Sequence, residues 1–317
     1  MAIKLNQSGC IDLAKEQIRE YALSLGFTAC GFAIAQPIPE HIFQEYQRWI
    51  NAGNHGDMHY MQNYPEIRRD PRLLMEGAKS IITLALNYYP KEFQSEGLPQ
   101  IAYYAYGADY HDVMRSKLKQ LGAYINEHFG GAFRPCVDTA PIVERYWAVQ
   151  SGLGFVGVNR LLIIPNQGSY YFLGELITDL ELEADVACGD SCADCNLCIS
   201  SCPVGALSRE GGLDATKCLS AMTIEYKGDE LPVEIAEKLG NRVYGCDRCQ
   251  MVCPHNHDAE PTTIKEFTPS AELLQLNADR INSLTETEFR QIFSRSAIKR
   301  IKLAGLQRNL RAGKNTD

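Results

Sequence analysis

Cys192-Ala193-Asp194-Cys195-Asn196-Leu197-Cys198-Ile199-Ser200-Ser201-Cys202-Pro203 decides how this chain is read. Its C-x2-C-x2-C-x3-C-P spacing wraps three thiolates around one iron–sulfur cluster and gives the fourth, ahead of the proline, to another cluster. A second run is therefore required. Cys246-Asp247-Arg248-Cys249-Gln250-Met251-Val252-Cys253-Pro254 supplies it, repeating the last three cysteine positions. Its first position falls on Val243, so one ligand is missing, and Cys218 lies between the runs with no other assignment. The expected ligand sets are then Cys192, Cys195, Cys198 and the crossing Cys253 for one [4Fe–4S] cluster. Cys246, Cys249, Cys218 and the crossing Cys202 hold the other. The competing reading is a zinc site or a group of buried free thiols. Two proline-terminated runs with complementary crossing cysteines argue against it.

Nine of the twelve cysteines lie between Cys188 and Cys253, and only Cys10, Cys30 and Cys136 precede them. That shift marks a boundary near residue 185. Cys188 falls outside the spacing, and the three early cysteines are expected to be ordinary thiols. Three segments follow: an α/β domain over 1–184, a ferredoxin-like module over 185–262, and a basic helical C-terminal segment over 263–317. Within the first, Ile11, Ala14, Ile18, Ala22 and Leu25 share one helical face, and Gly26 stops the helix. Thr28–Ile34 and Ser80–Tyr88 read as buried strands, and Ala132–Asp138 as a short one. Asp109–Phe129 reads as a long helix with Val113, Leu118, Leu121 and Ile125 along its buried stripe. Leu161–Ile164 and Tyr170–Leu180 read as a strand pair joined by Asn166-Gln167-Gly168. Alternation of this kind gives a layered α/β (α+β) domain.

Acidic residues outnumber basic ones, 39 to 31, so an anionic partner must meet a local basic patch. Arg290 to Asp317 offers one, with eight Lys or Arg against a single acid. Apolar runs such as Ile81–Leu86 are strand length, far short of a membrane span. The start, MAIKLNQSGC, has no signal-peptide apolar stretch. The reading is a cytoplasmic protein with no membrane association, whose cysteines are ligands rather than disulfides. Two clusters move electrons without saying where. Either the chain is a relay for a partner, or its first half holds an acceptor, and some 185 residues favour an acceptor. Gly152-Leu153-Gly154-Phe155-Val156-Gly157 spells G-x-G-x-x-G but follows a helix-like stretch instead of a strand. A tight loop, where backbone approaches something flat, is the better reading.

Together these residues resemble epoxyqueuosine reductase, the cobalamin-dependent iron–sulfur family of tRNA queuosine synthesis. The resemblance covers most of the chain. It runs through His55-Gly56-Asp57-Met58, Arg68-Arg69-Asp70-Pro71, Gly77-Ala78-Lys79-Ser80 and Gly107-Ala108-Asp109-Tyr110-His111. It continues through Val137-Asp138-Thr139, Gly152–Asn159, Gly168-Ser169-Tyr170, Leu173-Gly174-Glu175 and Tyr244-Gly245-Cys246-Asp247. It implies a nitroreductase-like cobalamin domain, shared with reductive dehalogenases, fused to a two-cluster ferredoxin module. It implies reduction of epoxyqueuosine to queuosine in the anticodon loop of a tRNA with a GUN anticodon. Cob(I)alamin would do this, fed by the clusters from an external donor such as a ferredoxin or flavodoxin. A monomer is expected, with a C-terminal helical tail shorter than is usual in the family.

The resemblance assigns Asp138 as proton donor to the departing oxygen, on the expectation that partial desolvation raises its pKa. A capping aspartate is the alternative from position alone. Arg68, Asn159, Leu162, Leu173, Ser220, Cys246 and Asp247 match cobalamin-binding positions, though Leu162 and Leu173 serve equally well as plain strand core. Ala102 stands where some relatives carry Cys, and Val158 where relatives often carry Lys. A base-off cofactor without a cysteine lower ligand follows. Tyr110 and His111 are substrate-side donors or a packed pair. Lys299, Arg300, Lys302 and Arg308 are expected to meet the tRNA backbone. Competing functions are a dehalogenase-like reductase of a small molecule and a non-catalytic electron-transfer module.

Overall fold

The structure is a computed structural model that describes residues 8–314, and the side chains of residues 13–313. Its first helix, α1 (Ser8–Ser24), buries Ala14, Ile18 and Ala22 as the periodicity predicts. Cys10 and Ile11 lie outside the described side chains. Gly26, at φ 91°, takes the left-handed turn that ends the segment. The chain then forms β1 (Ala29–Ile34), β2 (Ser80–Asn87), α2 (Tyr110–Phe129), β3 (Phe133–Cys136), α3 (Glu144–Gln150) and β4 (Tyr171–Thr178).

The four strands make one antiparallel sheet in the order β1-β2-β4-β3. Strand alternation sorts its two faces. Ile82, Leu84, Leu86, Phe172 and Leu176 pack with the buried stripes of α1 and α2. Ile81 and Ile177 pack with Trp147 of α3, and Ala85 and Leu173 with Ala148. The result is a three-layer α/β sandwich, in which each large apolar side chain taken fully from water is worth about 1.5–3 kcal/mol.

One expected pairing is wrong. Leu162–Ile163 pairs with Phe155–Val156, and only an isolated bridge, Ile164 to Gly168, spans the Asn166 turn. β4 gives one edge to β2 along its whole length and the other to β3 over Glu175–Thr178, while Leu162–Ile163 turns back onto Phe155–Val156. The glycine loop at 152–157 packs closely against protein backbone. A Cβ at Gly154 would sit 2.0 Å from the carbonyl oxygen of Ile163, and one at Gly152 would sit 2.7 Å from that of Val186.

In the cysteine module, short helices Leu197–Ser201 and Arg248–Met251 carry Cys198 and Cys249. Val243, where the second run lacks a cysteine, is buried in strand Arg242–Tyr244, which pairs in parallel with Gln100–Ile101. The C-terminal helices close over this junction. Phe289, Phe293, Ile298, Leu306 and Leu310 share one core with Ile101, Tyr106, Val243 and Tyr244. Asn309, fully buried, donates to the carbonyls of Thr223 and Val243 at 2.9 and 2.8 Å. Among the described residues no helix is long and apolar enough to cross a membrane.

Candidate active site

Two contiguous cavities run between the sheet and the cysteine module, sharing Tyr88, Tyr104 and Leu161 in their walls. The first, of ≈ 240 Å³, is lined by Cys202, Cys218, Cys246 and Cys249 together with Ala102, Asn159, Ser220 and Asp247. The second, of ≈ 190 Å³, is lined by Tyr110, Asp138, Glu144, Leu162, Phe172 and Leu173. The thiols therefore stand at one end of the cleft, together with Asp247, and the carboxyls of Asp138 and Glu144 at the other.

At the carboxyl end, Asp138 lies two residues beyond β3 with φ at 35°, a conformation that side chains with a Cβ avoid. It is not the cap of α3, since Val143 holds that position. Its backbone N–H donates to Glu144 Oε1 at 2.7 Å. Its Oδ2 lies 3.0 Å from His111 Nε2, and His111 Nδ1 lies 2.7 Å from Asp109 Oδ1. Asp109 caps α2 through the His111 backbone N–H, and its Oδ2 takes an ion pair from Lys299 at 2.8 Å. Tyr110 stacks on Phe172 with centroids 4.3 Å apart and on the His111 ring at 4.0 Å.

The electrostatics of this row correct the expectation for Asp138. Partial desolvation at the cleft wall opposes its charge, although its side chain is 48% exposed, but the hydrogen bond and charge of His111, helped by the Tyr110 hydroxyl, pull its pKa below the ordinary value. Desolvation opposes charge on His111, yet its bonds to Asp109 and Asp138 push it up to about 9. Asp109 is held well below the usual carboxylate range by His111 first and then by Lys299. The carboxyl that burial does raise is Glu144, pushed up to about 7, with the neighbouring Asp138 charge adding to the effect.

At the thiol end, the cysteines sort into two neighbouring groups. Burial raises the Cys253 thiol, and Cys192, Cys195 and Cys198 raise it further as nearby charges. Cys218 is raised by burial and by Cys246 and Cys202. Cys249 is raised by burial, then by Cys246 and Cys218, and more weakly by Cys198, so the groups adjoin. Cys218 stands at the N-cap of helix Leu219–Ile224 and faces the backbone N–H groups of Ser220 and Ala221. Val158 N–H donates to Cys192 Sγ at 3.4 Å and Ala206 N–H to Cys202 Sγ at 3.3 Å, bonds that tune cluster potentials. Cys188 bonds locally to Asp190, and Cys30 and Cys136 are buried with thiol pKa values near 12.

Between the two ends, Asn159 is buried, and its Oδ1 accepts from Leu161 N–H at 3.2 Å. Its Nδ2 is buried with no hydrogen-bond partner, and the residue lines the first cavity. A buried amide N–H left open beside a cavity calls for a ligand acceptor. Aromatic and apolar walls with one open donor fit a flat macrocycle fringed with amides. Asp247 accepts from Tyr103 N–H at 2.7 Å, and burial pushes its carboxyl up to about 6. Arg68 does not line the cleft. It is buried and holds the 60–63 loop through the carbonyls of Asn63 and Tyr60, at 3.0 and 3.1 Å.

The basic segment is less available than its composition suggests. Arg308 is a correction: it is buried, and its guanidinium donates to the carbonyls of Tyr226 and Gly228 at 2.8 and 2.9 Å, so it cannot meet a phosphate. Lys299 is paired with Asp109. Arg300 pairs with Glu225 at 2.8 Å and lies over the Tyr60 ring. Lys302 is exposed. Sequence reasoning gave no role to Asp109, Glu144 or Glu175. Asp109 could have been read as a helix cap before Tyr110, and Glu175 as an acid on the buried parity of an apolar strand. Glu144 left no local signal.

A family model described as epoxyqueuosine reductase QueG, DUF1730, matches residues 68–139, and one described as a 4Fe-4S double cluster binding domain matches residues 191–256. The epoxyqueuosine reductase of Cellulophaga algicola is 42% identical over 92% of this chain and 95% of its own length. The chain belongs to the epoxyqueuosine reductase family. The epoxyqueuosine reductase of Leadbetterella byssophila is also 42% identical, over 94% of this chain and 97% of that protein. A crystal structure of epoxyqueuosine reductase with an epoxyqueuosine-modified tRNA-Tyr stem loop superposes with a TM-score of 0.87 at 31% identity. It covers 96% of this chain and 82% of that one.

Proposed function

We propose that the protein is an epoxyqueuosine reductase that uses two [4Fe–4S] clusters and a cobalamin, bound base-off in the cleft, to reduce the epoxide in a tRNA anticodon loop. The observation that carries this is the cleft itself, with four cysteines in one wall and Asp138, backed by His111, in the other. Family membership, the double-cluster match and the tRNA-bound relative support the reading. Cys192, Cys195, Cys198 and Cys253 hold the outer cluster, and Cys202, Cys218, Cys246 and Cys249 the one beside the cleft.

Bound cobalamin supplies a strongly reducing metal-centred nucleophile for carbon–oxygen cleavage. This chain's residues do the rest. Asn159 would donate its open N–H to a cofactor amide, while Leu162, Leu173, Ser220, Cys246 and Asp247 would form the surrounding wall. Ala102 brings no ligand atom to the metal. Arg68 acts one step back, by fixing the 60–63 loop. Asp138 receives the His111 proton and passes it to the departing oxygen, and Tyr110 holds both rings in register. Lys302 and the rim near Arg300 meet the RNA backbone. The substrate is a tRNA with a GUN anticodon, the donor a small ferredoxin- or flavodoxin-type protein, and the working form a cytoplasmic monomer. The test is anaerobic incubation with epoxyqueuosine-bearing tRNA, reductant and cobalamin, followed by nucleoside mass analysis. Unchanged epoxyqueuosine from protein carrying cobalamin and both clusters would refute the reading.

A further inference from the structure

Glu175 is the one acid on β4, on the face it shares with Leu173 and Ile177, opposite Thr83 of β2 and Cys136 of β3. It has no accessible surface, and neither carboxyl oxygen has a hydrogen-bond partner. The helix covering it is α3, whose Trp147 Nε1 is likewise buried without a partner, and beyond whose end Ser151 bonds Thr83 at 3.0 Å. The first residue of α3 is Glu144, which lines the cleft beside Asp138. A leucine at 175 would pack here without the cost of a bare polar group.

The chemistry leaves a place for such a pair. Turning an epoxide into an alkene expels the oxygen as water, which takes two electrons and two protons. An external low-potential donor supplies the electrons through the clusters. The His111–Asp138 pair carries one transferable proton, so each turnover needs a second.

We propose that Glu144 and Glu175 form a two-carboxyl store behind Asp138, in which Glu144 gives the second proton at the cleft wall and Glu175 sets how readily Glu144 ionises. The inference rests on the epoxide-reducing function proposed above. Two buried carboxyls within electrostatic reach resist ionising together, so the pair keeps a proton at neutral pH. Burial and then the charge of Glu144 hold Glu175 well above its ordinary value. Glu144 is also faced by Asp138, His111 and Arg145, and Glu175 by the Cys136 thiol. In a turnover the leaving oxygen takes one proton from His111 through Asp138 and one from Glu144, and departs as water. Solvent then refills the row through Asp138, which is exposed. Glu175 is a positioning residue, since it meets the cleft only through Glu144.

Infrared spectroscopy of the protein as isolated tests the store without turnover. Two protonated-carboxyl bands are expected near neutral pH. One titrates near pH 7 and is absent in Glu144→Gln; the other persists to higher pH and is absent in Glu175→Gln. Wild-type protein with neither band would overturn the proposal, whatever the variants do. In turnover assays, Glu144→Gln should slow the reaction by about 10²-fold and lose the wild-type decline above pH 7. Glu175→Gln should move that decline while iron and cobalamin contents stay unchanged. A Glu144→Gln enzyme with wild-type rate and pH profile would also overturn it. If wild type fails to reduce epoxyqueuosine, the functional reading falls, and the infrared bands still decide the store.

Discussion

His111 Nε2 lies 3.0 Å from Asp138 Oδ2, and the imidazole between Asp138 and Asp109 is held protonated to about pH 9. The resting proton therefore belongs to His111, and in the proposed mechanism Asp138 would be its outlet to the cleft. The Lys299 ion pair extends the row to the C-terminal segment, so the charge state of the proton donor depends on helices almost two hundred residues away along the chain.

Asp138→Asn should stop catalysis while both clusters and cobalamin stay bound. The amide keeps the shape but cannot relay an acidic proton, and loss of a general acid typically costs about 10²–10⁴ in rate. Single-turnover kinetics on modified tRNA, with iron and cobalt analysis, measure this. A near wild-type rate would remove Asp138 from the proton path.

The His111 pKa is raised above its ordinary value of 6.5, so protonation stabilises the folded state. That contribution is fully present below about pH 6.5 and is lost as pH rises through about 9. Thermal melts of the wild type should fall across this window, and His111→Gln should flatten the fall. An identical slope in the variant would place the proton elsewhere.

Cys218→Ala should lose one cluster selectively. Val243 is buried in a strand and carries no thiol, so the group with Cys202, Cys246 and Cys249 has no substitute ligand. Iron should fall from about eight to about four per chain. A full complement in the variant would reassign the fourth ligand.

Lys302 and Arg308 should separate cleanly. Lys302→Ala should lower the salt slope of tRNA binding by about 1, one phosphate contact fewer, with little effect on stability. Arg308→Ala strands two carbonyls in the interior and should destabilise by about 1–3 kcal/mol in chemical denaturation. A weaker salt slope in Arg308→Ala without loss of stability would contradict its buried position.

The cysteine framework was legible because cluster geometry is written as spacing along the chain, and the strands at 29–34 and 80–87 because their apolar runs are unbroken. The partner of Leu162–Ile163 was not legible. A turn signal at Asn166 is local, whereas the partner taken, Phe155–Val156, lies on the other side of a loop that carries no strand-length apolar run. Arg308 read as a surface cation because nothing in its neighbourhood announces the carbonyls of Tyr226 and Gly228, some 80 positions earlier. Asp138 does line the cleft, but its ionisation was misjudged. The deciding partner, His111, lies 27 residues upstream and meets it only in the folded chain.

The parallel pairing of Arg242–Tyr244 with Gln100–Ile101, clamped by Asn309, ties the thiol wall of the cleft to the sheet domain by main-chain bonds. Electron tunnelling decays steeply with distance, so in the proposed enzyme this seam would act as a spacer gauge between the inner cluster and the reaction chamber. Loosening the last helix would then read out first as slow electron delivery, with the RNA still held.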